Sequence, residues 1–340
     1  MTFDKRAKKR NRSGSKKEVV EKKQGKKDIT TVNDLIEFIY DYISEIHEDN
    51  NQECFMDWQK LWNLIPHLQE LNNMVGMEKI KSDIIRMVMF LAVSYDREPD
   101  TFMHSVIYGK PGVGKTHLAG ILGKIYCAMG FLEQGHVITV KRTDLIGKYI
   151  GHSEAAFKKI MERVKGGVLL IDEAYSFGGK DGADSFAKAV IDLLNQHLSE
   201  DSQNFVCIIV GYENDIDKYF FSINQGLKRR FPWKFYFDDY TPENLADILY
   251  QRIKKDGWEM PPSDKDKVVD LFKEYKKELL YQAGDVVNLF VKSKLYASER
   301  IFINKSPKHV MLLEDLAKGF QVLFDKEKEA EDESYKTMFL

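Results

Sequence analysis

Apolar residues first recur at helical spacing between Thr31 and about Glu70, as in Leu35, Ile36, Ile39, Tyr40 and Ile43. Thr31 or Asn33 stands where the first of these helices would take its amino-terminal cap. The stretch predicts helices that either pack on the rest of the chain or meet a partner. From about Leu71 to Asp238 the pattern changes to short apolar runs between amphipathic helices, with strands predicted at 105–108, 136–140, 168–171, 205–210 and 233–237. Strands alternating with helices make a mainly parallel sheet covered on both faces. After Thr241 the strands stop, and segments 242–255, 264–280, 285–302 and 312–328 read as helices of a small second domain.

Composition changes this picture little. A chain of 340 residues, 43% hydrophobic and 31% charged, can bury a core and reads as an ordinary soluble globular protein. No apolar run approaches the roughly 20 residues of a membrane span, and the basic start of the chain predicts no secretory leader. Cys54, Cys127 and Cys207 are widely spaced and odd in number. They predict neither a disulfide framework nor a metal cluster, but a reducing interior compartment: cytoplasm, or nucleus in a eukaryotic setting. Charge is uneven: residues 1–27 carry 12 Lys/Arg against 3 Asp/Glu, while the whole chain is at −2. That segment predicts a disordered tail, read as a solvated tail, an import signal or a nucleic-acid tether. The expected organisation is a basic tail over 1–30, a helical segment over 31–70, a nucleotide-binding αβα domain over 71–240, a helical lid over 241–328 and an acidic tail over 329–340.

Candidate chemistry begins after the first predicted strand. Gly109-Lys110-Pro111-Gly112-Val113-Gly114-Lys115-Thr116 fits the phosphate-loop pattern G-x-x-x-x-G-K-[ST] in a strand–loop–helix setting. Gly109, Gly112 and Gly114 let backbone N–H groups wrap phosphate oxygens, and the following helix aims its positive end at them. Lys115 is expected on the β/γ oxygens and Thr116 on Mg²⁺. About 60 residues on, Val168-Leu169-Leu170-Ile171-Asp172-Glu173 is an apolar strand ending in two carboxylates. Carboxyl ends of parallel strands gather ligands, so Asp172 is expected beside Thr116 on the metal and Glu173 on the attacking water. The plainer readings are a glycine-rich turn and a surface acidic turn.

From Asn72 to about Phe324 the chain resembles AAA+ ATPases, in particular the CbxX/CfqX branch that includes red-type Rubisco activases and sporulation protein K. The resemblance is carried by LNNMVGMEKIK before the phosphate loop, by GHVITVKRTDLIGKYIGHSEAAFKKIMERVKGGVLLIDEAYSF, and by VGYENDIDKYFFSINQGLKRRFPWKFYFDDYTPENL. It implies an ATP-hydrolysing ring, usually a hexamer, that remodels a macromolecule with ATP and Mg²⁺. It further implies that Arg230 is the arginine finger reaching a neighbouring subunit's γ-phosphate, with adjacent Arg229 as the alternative. Val75 and Gly76 match the adenine-pocket backbone, and Tyr149-Ile150-Gly151 matches the aromatic pore loop of protein-threading rings, or else a tyrosine packed at a helix entrance.

Two departures accompany the resemblance. Where the family places an Ala-Arg pair at the start of the third lid helix, this chain has Ala283-Gly284, and Lys292 lies about two turns on. The γ-phosphate sensor is unassigned among Tyr212, Glu213 and Asn214. Three functions compete: a remodelling machine acting on a protein client, a nucleotide-switched scaffold with little hydrolysis, and a nucleic-acid-dependent motor tethered through the basic tail.

Overall fold

The computed structural model describes residues 28–48, 56–93, 103–145, 152–178, 185–200 and 204–324. Two helices lead, α1 (Val32–Glu48) and α2 (Trp58–Asn72), followed by α3 (Glu78–Val93). The central layer then runs β1 (Ser105–Tyr108), α4 (Lys115–Ala128), β2 (Val137–Val140), α5 (Arg142–Leu145), α6 (His152–Val164) and β3 (Val168–Ile171). It continues with α7 (Ser185–Glu200), β4 (Val206–Gly211), α8 (Glu213–Tyr219) and β5 (Trp233–Tyr236). The lid consists of α9 (Pro242–Lys255), α10 (Lys265–Glu274), α11 (Ala283–Asn304) and α12 over 313–324. No described helix is long and apolar enough to cross a membrane.

The five strands lie in the order β2-β3-β4-β1-β5, and every neighbouring pair is parallel. Side chains alternate between two cores, as the period of a strand requires. Ile107, Leu170 and Ile208 join the core under α1 to α4, whereas Val106, Leu169 and Ile209 join the one under α6 to α8. β1, β3 and β4 are buried along their whole length, so they read as unbroken apolar runs.

The leading helices pack on this layer. Leu64, Leu68 and Leu71 of α2 are fully buried in the same core as Leu118 and Leu122 of α4. Lys124 of α4 also pairs with Glu70 at 2.7 Å. Thr31 caps α1: its hydroxyl accepts the Asp34 N–H while Asp34 accepts the Thr31 N–H at 2.8 Å. Asn33 instead accepts a hydrogen bond from Asn72 at the end of α2.

The lid has its own core around Leu249, Phe272, Phe290 and Phe320. Thr241 opens it with a capping box to Asn244 and Pro242 in the first turn. The helix expected over 264–280 stops at Glu274. Tyr275 there turns inward and stacks on Phe320 and Phe324 at 5.0 and 5.6 Å, and the chain leaves the helical path through turns.

Candidate active site

The phosphate loop leaves β1 at Tyr108 and is held against the next strand by the Gly109 N–H bonding to Gly211 O at 3.2 Å. Gly112 and Gly114 take φ of +75° and +95°, the left-handed region that favours glycine. Space adds a second constraint at Gly112, where a Cβ would stand 2.0 Å from Tyr281 O. Lys115 opens α4 and folds back, donating from Nζ to Gly109 O at 2.8 Å and Lys110 O at 2.6 Å. Partial burial lowers the pKa of its ammonium, and the nearby Asp172 and Glu173 carboxylates oppose that shift.

The carboxylates arrive from β3. The Asp172 N–H continues the ladder to Val140 O, and its Oδ1 then accepts the Glu173 N–H at 3.1 Å. Glu173 has φ +52°, a conformation a residue with a side chain seldom holds, and so turns the chain sharply into the 3₁₀ turn Ala174–Phe177. Tyr175 on that turn packs its ring over Gly211 and lies 6.1 Å from the ring of Tyr212. Its hydroxyl bonds to Glu173, and the phenol is pushed up, first by burial and then by that carboxylate.

Gly114, Lys115, Thr116, Asp172 and Glu173 line one cavity of about 410 Å³. Its chemistry suits a nucleoside triphosphate with its cation. Left-handed glycines leave room for phosphate oxygens, a lysine supplies positive charge, and Thr116 with Asp172 offers the oxygen donors that Mg²⁺ takes. Tyr175 and Tyr212 line the same cavity. Tyr212, one residue beyond β4, already stood among the candidates for the γ-phosphate sensor, whereas Tyr175, four residues beyond β3, follows from no spacing rule.

The remaining expected residues are dispersed. Val75 and Gly76 line a larger cavity of about 1140 Å³ between α3 and the lid, bounded by Tyr240 and Asn244. The two spaces adjoin at Met74, whose Cε lies 3.5 Å from where a Gly114 Cβ would stand. Lys110 points outward to Asp239 at 2.6 Å. Pro111 lines the phosphate cavity, while the Val113 side chain is buried against the lid core. Tyr149, Ile150 and Gly151 lie outside the described residues.

Arg230 lies at the far end of the sheet. It precedes β5, whose first residue pairs with Ser105, the first of β1. Its Nε donates to Ser199 Oγ and its guanidinium to Gly226 O, both at 2.6 Å. Desolvation and the charge of Arg229 lower the pKa of that guanidinium. Arg229 is exposed beside it. The four residues of β1 put roughly 13 Å between Arg230's end of the sheet and the phosphate loop.

Residues 105–239 match the profile of the ATPase family associated with various cellular activities (AAA). A putative cfxQ-like protein of Acanthamoeba polyphaga mimivirus is 37% identical over 285 residues, 83% of this chain and 70% of that protein. The chloroplastic ribulose bisphosphate carboxylase/oxygenase activase of Cyanidioschyzon merolae is 31% identical over 246 residues, 69% of this chain and 82% of that protein. Among solved structures, the Thermotoga maritima RuvB Holliday junction branch migration motor superposes with a TM-score of 0.51 over 73% of this chain and 70% of that one. At 17% identity this last likeness speaks for the fold alone. Sequence likeness that runs through the greater part of both this chain and its relatives makes the protein a CbxX/CfqX-type AAA+ ATPase.

Proposed function

We propose that this ATPase works as a ring whose subunits complete one another's sites and remodel a protein client. One observation carries the assembly: Arg230 sits at the opposite end of β1 from its own phosphate loop, so it can meet a γ-phosphate only across a subunit boundary. Within a subunit, Lys115 would hold the β/γ oxygens, and Thr116 and Asp172 would hold Mg²⁺. That ion would neutralise charge developing on the transferred phosphoryl group. Glu173 would accept the proton of the attacking water, and Arg230 of the next subunit would stabilise the charge from the other side. Val75 and Gly76 would border the base. The client reading rests on the name of the algal relative, an activase of another enzyme, and on Tyr149-Ile150-Gly151 as a gripping loop.

Hydrolysis per subunit, measured across a wide range of protein concentration, tests this. The rate should rise steeply as the ring assembles and vanish in Arg230→Ala at every concentration. A rate independent of concentration, kept by that variant, would return the finger to an ordinary surface arginine.

A further inference from the structure

The lid carries no arginine at the start of α11, yet it touches the phosphate loop directly. A Cβ on Gly112 would stand 2.0 Å from Tyr281 O and 3.2 Å from Gly284 N, and one on Gly284 would stand 3.8 Å from the Gly112 Cα. The two segments therefore meet backbone to backbone. Beside this contact, Tyr240 occupies the crossing from β5 to α9, where the chain passes from sheet to lid, and it is buried. Its hydroxyl donates to Val113 O at 2.9 Å, and its own N–H donates to Gln282 Oε1 at 3.0 Å. Burial pushes the phenol up to about 12, so it stays a neutral donor.

Gln282 is buried as well and holds φ +52°, ψ −118° immediately before α11. Its carbonyl accepts the N–H groups of Asp285 and Val286, the first bonds of that helix. Asp285 in turn accepts the Tyr281 N–H at 2.7 Å. A continuous set of bonds thus runs from the phosphate loop through the hinge to the lid helix. Val113 lies between the two left-handed glycines, where the backbone must adjust when phosphate oxygens take up its N–H groups. Any rotation of the Val113–Gly114 peptide then either drags the Tyr240 phenol or breaks its bond, and that displacement reaches Gln282 through Tyr240's own N–H.

We propose that Tyr240 and Gln282 are positioning residues that couple nucleotide state to lid angle, doing through two buried neutral hydrogen bonds what a charged lid residue would otherwise do. This rests on the placement of the nucleotide at residues 109–116. The test uses the full chain carrying one probe on exposed Lys188 of α7 and one on exposed Lys273 of α10. Probe separation is read with and without ATP, in a Glu173→Gln background that suppresses turnover.

The parent protein should change separation when ATP binds. Tyr240→Phe keeps the ring and drops the hydroxyl, and Gln282→Ala drops the acceptor. Each should at least halve the change while ATP affinity moves by less than roughly tenfold, the scale of one lost hydrogen bond. The double variant should be no worse than either alone, because both lie on one path. Gln282→Glu keeps an oxygen at the same place and should restore the response, which a merely structural role would not do. A full ATP-dependent change in both single variants, additive losses, or no change in the parent would each overturn the proposal. Lys115→Ala separates the two readings: if it still binds ATP normally, the nucleotide placement is at fault, and if binding is lost while Tyr240→Phe responds in full, only the strut fails.

Discussion

At Glu173 a carboxylate-bearing residue holds a backbone angle that glycine would adopt freely, at a cost on the order of 1–3 kcal/mol. The turn it makes separates the two carboxylates of Asp172-Glu173, leaving Asp172 on the ladder while Glu173 swings toward Tyr175. Glu173→Gln should retain bound ATP and lose turnover by about 100-fold or more, as removal of a general base does. Rapid filtration of nucleotide–protein complexes, paired with phosphate release, checks both halves. A second residue, His104, is fully buried just before β1: its Nδ1 accepts the Cys207 N–H and its Nε2 donates to Leu198 O. Burial lowers it from 6.5 to about 4, with a smaller push from the Arg230 charge. The unfolded chain takes up a proton below pH 6.5 that the folded one refuses until about pH 4, so stability falls as pH drops through that window, by roughly 3 kcal/mol at most. In His104→Gln, urea midpoints should fall less steeply between those two pH values. The phosphate loop and the acidic strand end were legible because each is a contiguous run of residue types. Tyr240 and Gln282 were not, since Tyr240 meets Val113 across 127 residues and no local pattern records that meeting.

Among the elements, the strands were the most legible, because buried parallel strands must be short apolar runs. Helix ends were less so: α10 stops where Tyr275 finds Phe320 and Phe324, a contact decided by the tertiary core and invisible to periodicity. The carboxyl-terminal part of the lid also depends on Arg300, which pairs with Asp315 and, at 3.7 Å, with Glu314. Arg300 donates from Nε and its guanidinium to Asp315 (2.8 Å at the closest) and also to Ser306 and Val310 O, and Asp315 is itself buried. Arg300→Ala removes that buried carboxylate's guanidinium partner, leaving it the Leu312 N–H, and should cost about 3–5 kcal/mol, read as a lowered urea midpoint. At the other end, Leu68→Ala should cost about 2–5 kcal/mol, as for any core leucine, because α2 is built into the core that holds α4. Should that substitution prove silent in denaturant melts, the leading helices are an appendage rather than part of the fold.

For the whole molecule, the arrangement of β2-β3-β4-β1-β5 puts the phosphate loop on an internal strand, with α4 and its layer on one side and the lid beside it. A chain folded this way has its phosphate cavity at one end of the sheet and Arg230 at the other. In an equimolar mixture of Lys115→Ala and Arg230→Ala proteins, each inactive alone, some activity should return, since mixed neighbours can pair an intact cavity with an intact arginine. Steady-state phosphate release on mixing checks this, and no recovery would mean that the two residues act within one subunit.

The packing of α2 along α4 has a mechanical meaning. The helix that begins at Lys115 is braced from the side by the segment through which the basic first 27 residues join the folded body. A load entering through α1 and α2 would pass into the scaffold of the phosphate loop, and it would also reach the lid where Gln251 of α9 donates to Asn73 O at 3.1 Å. The frame that holds the phosphate loop is thus one that the leading helices could pull on, and the same pull would be felt in the first helix of the lid.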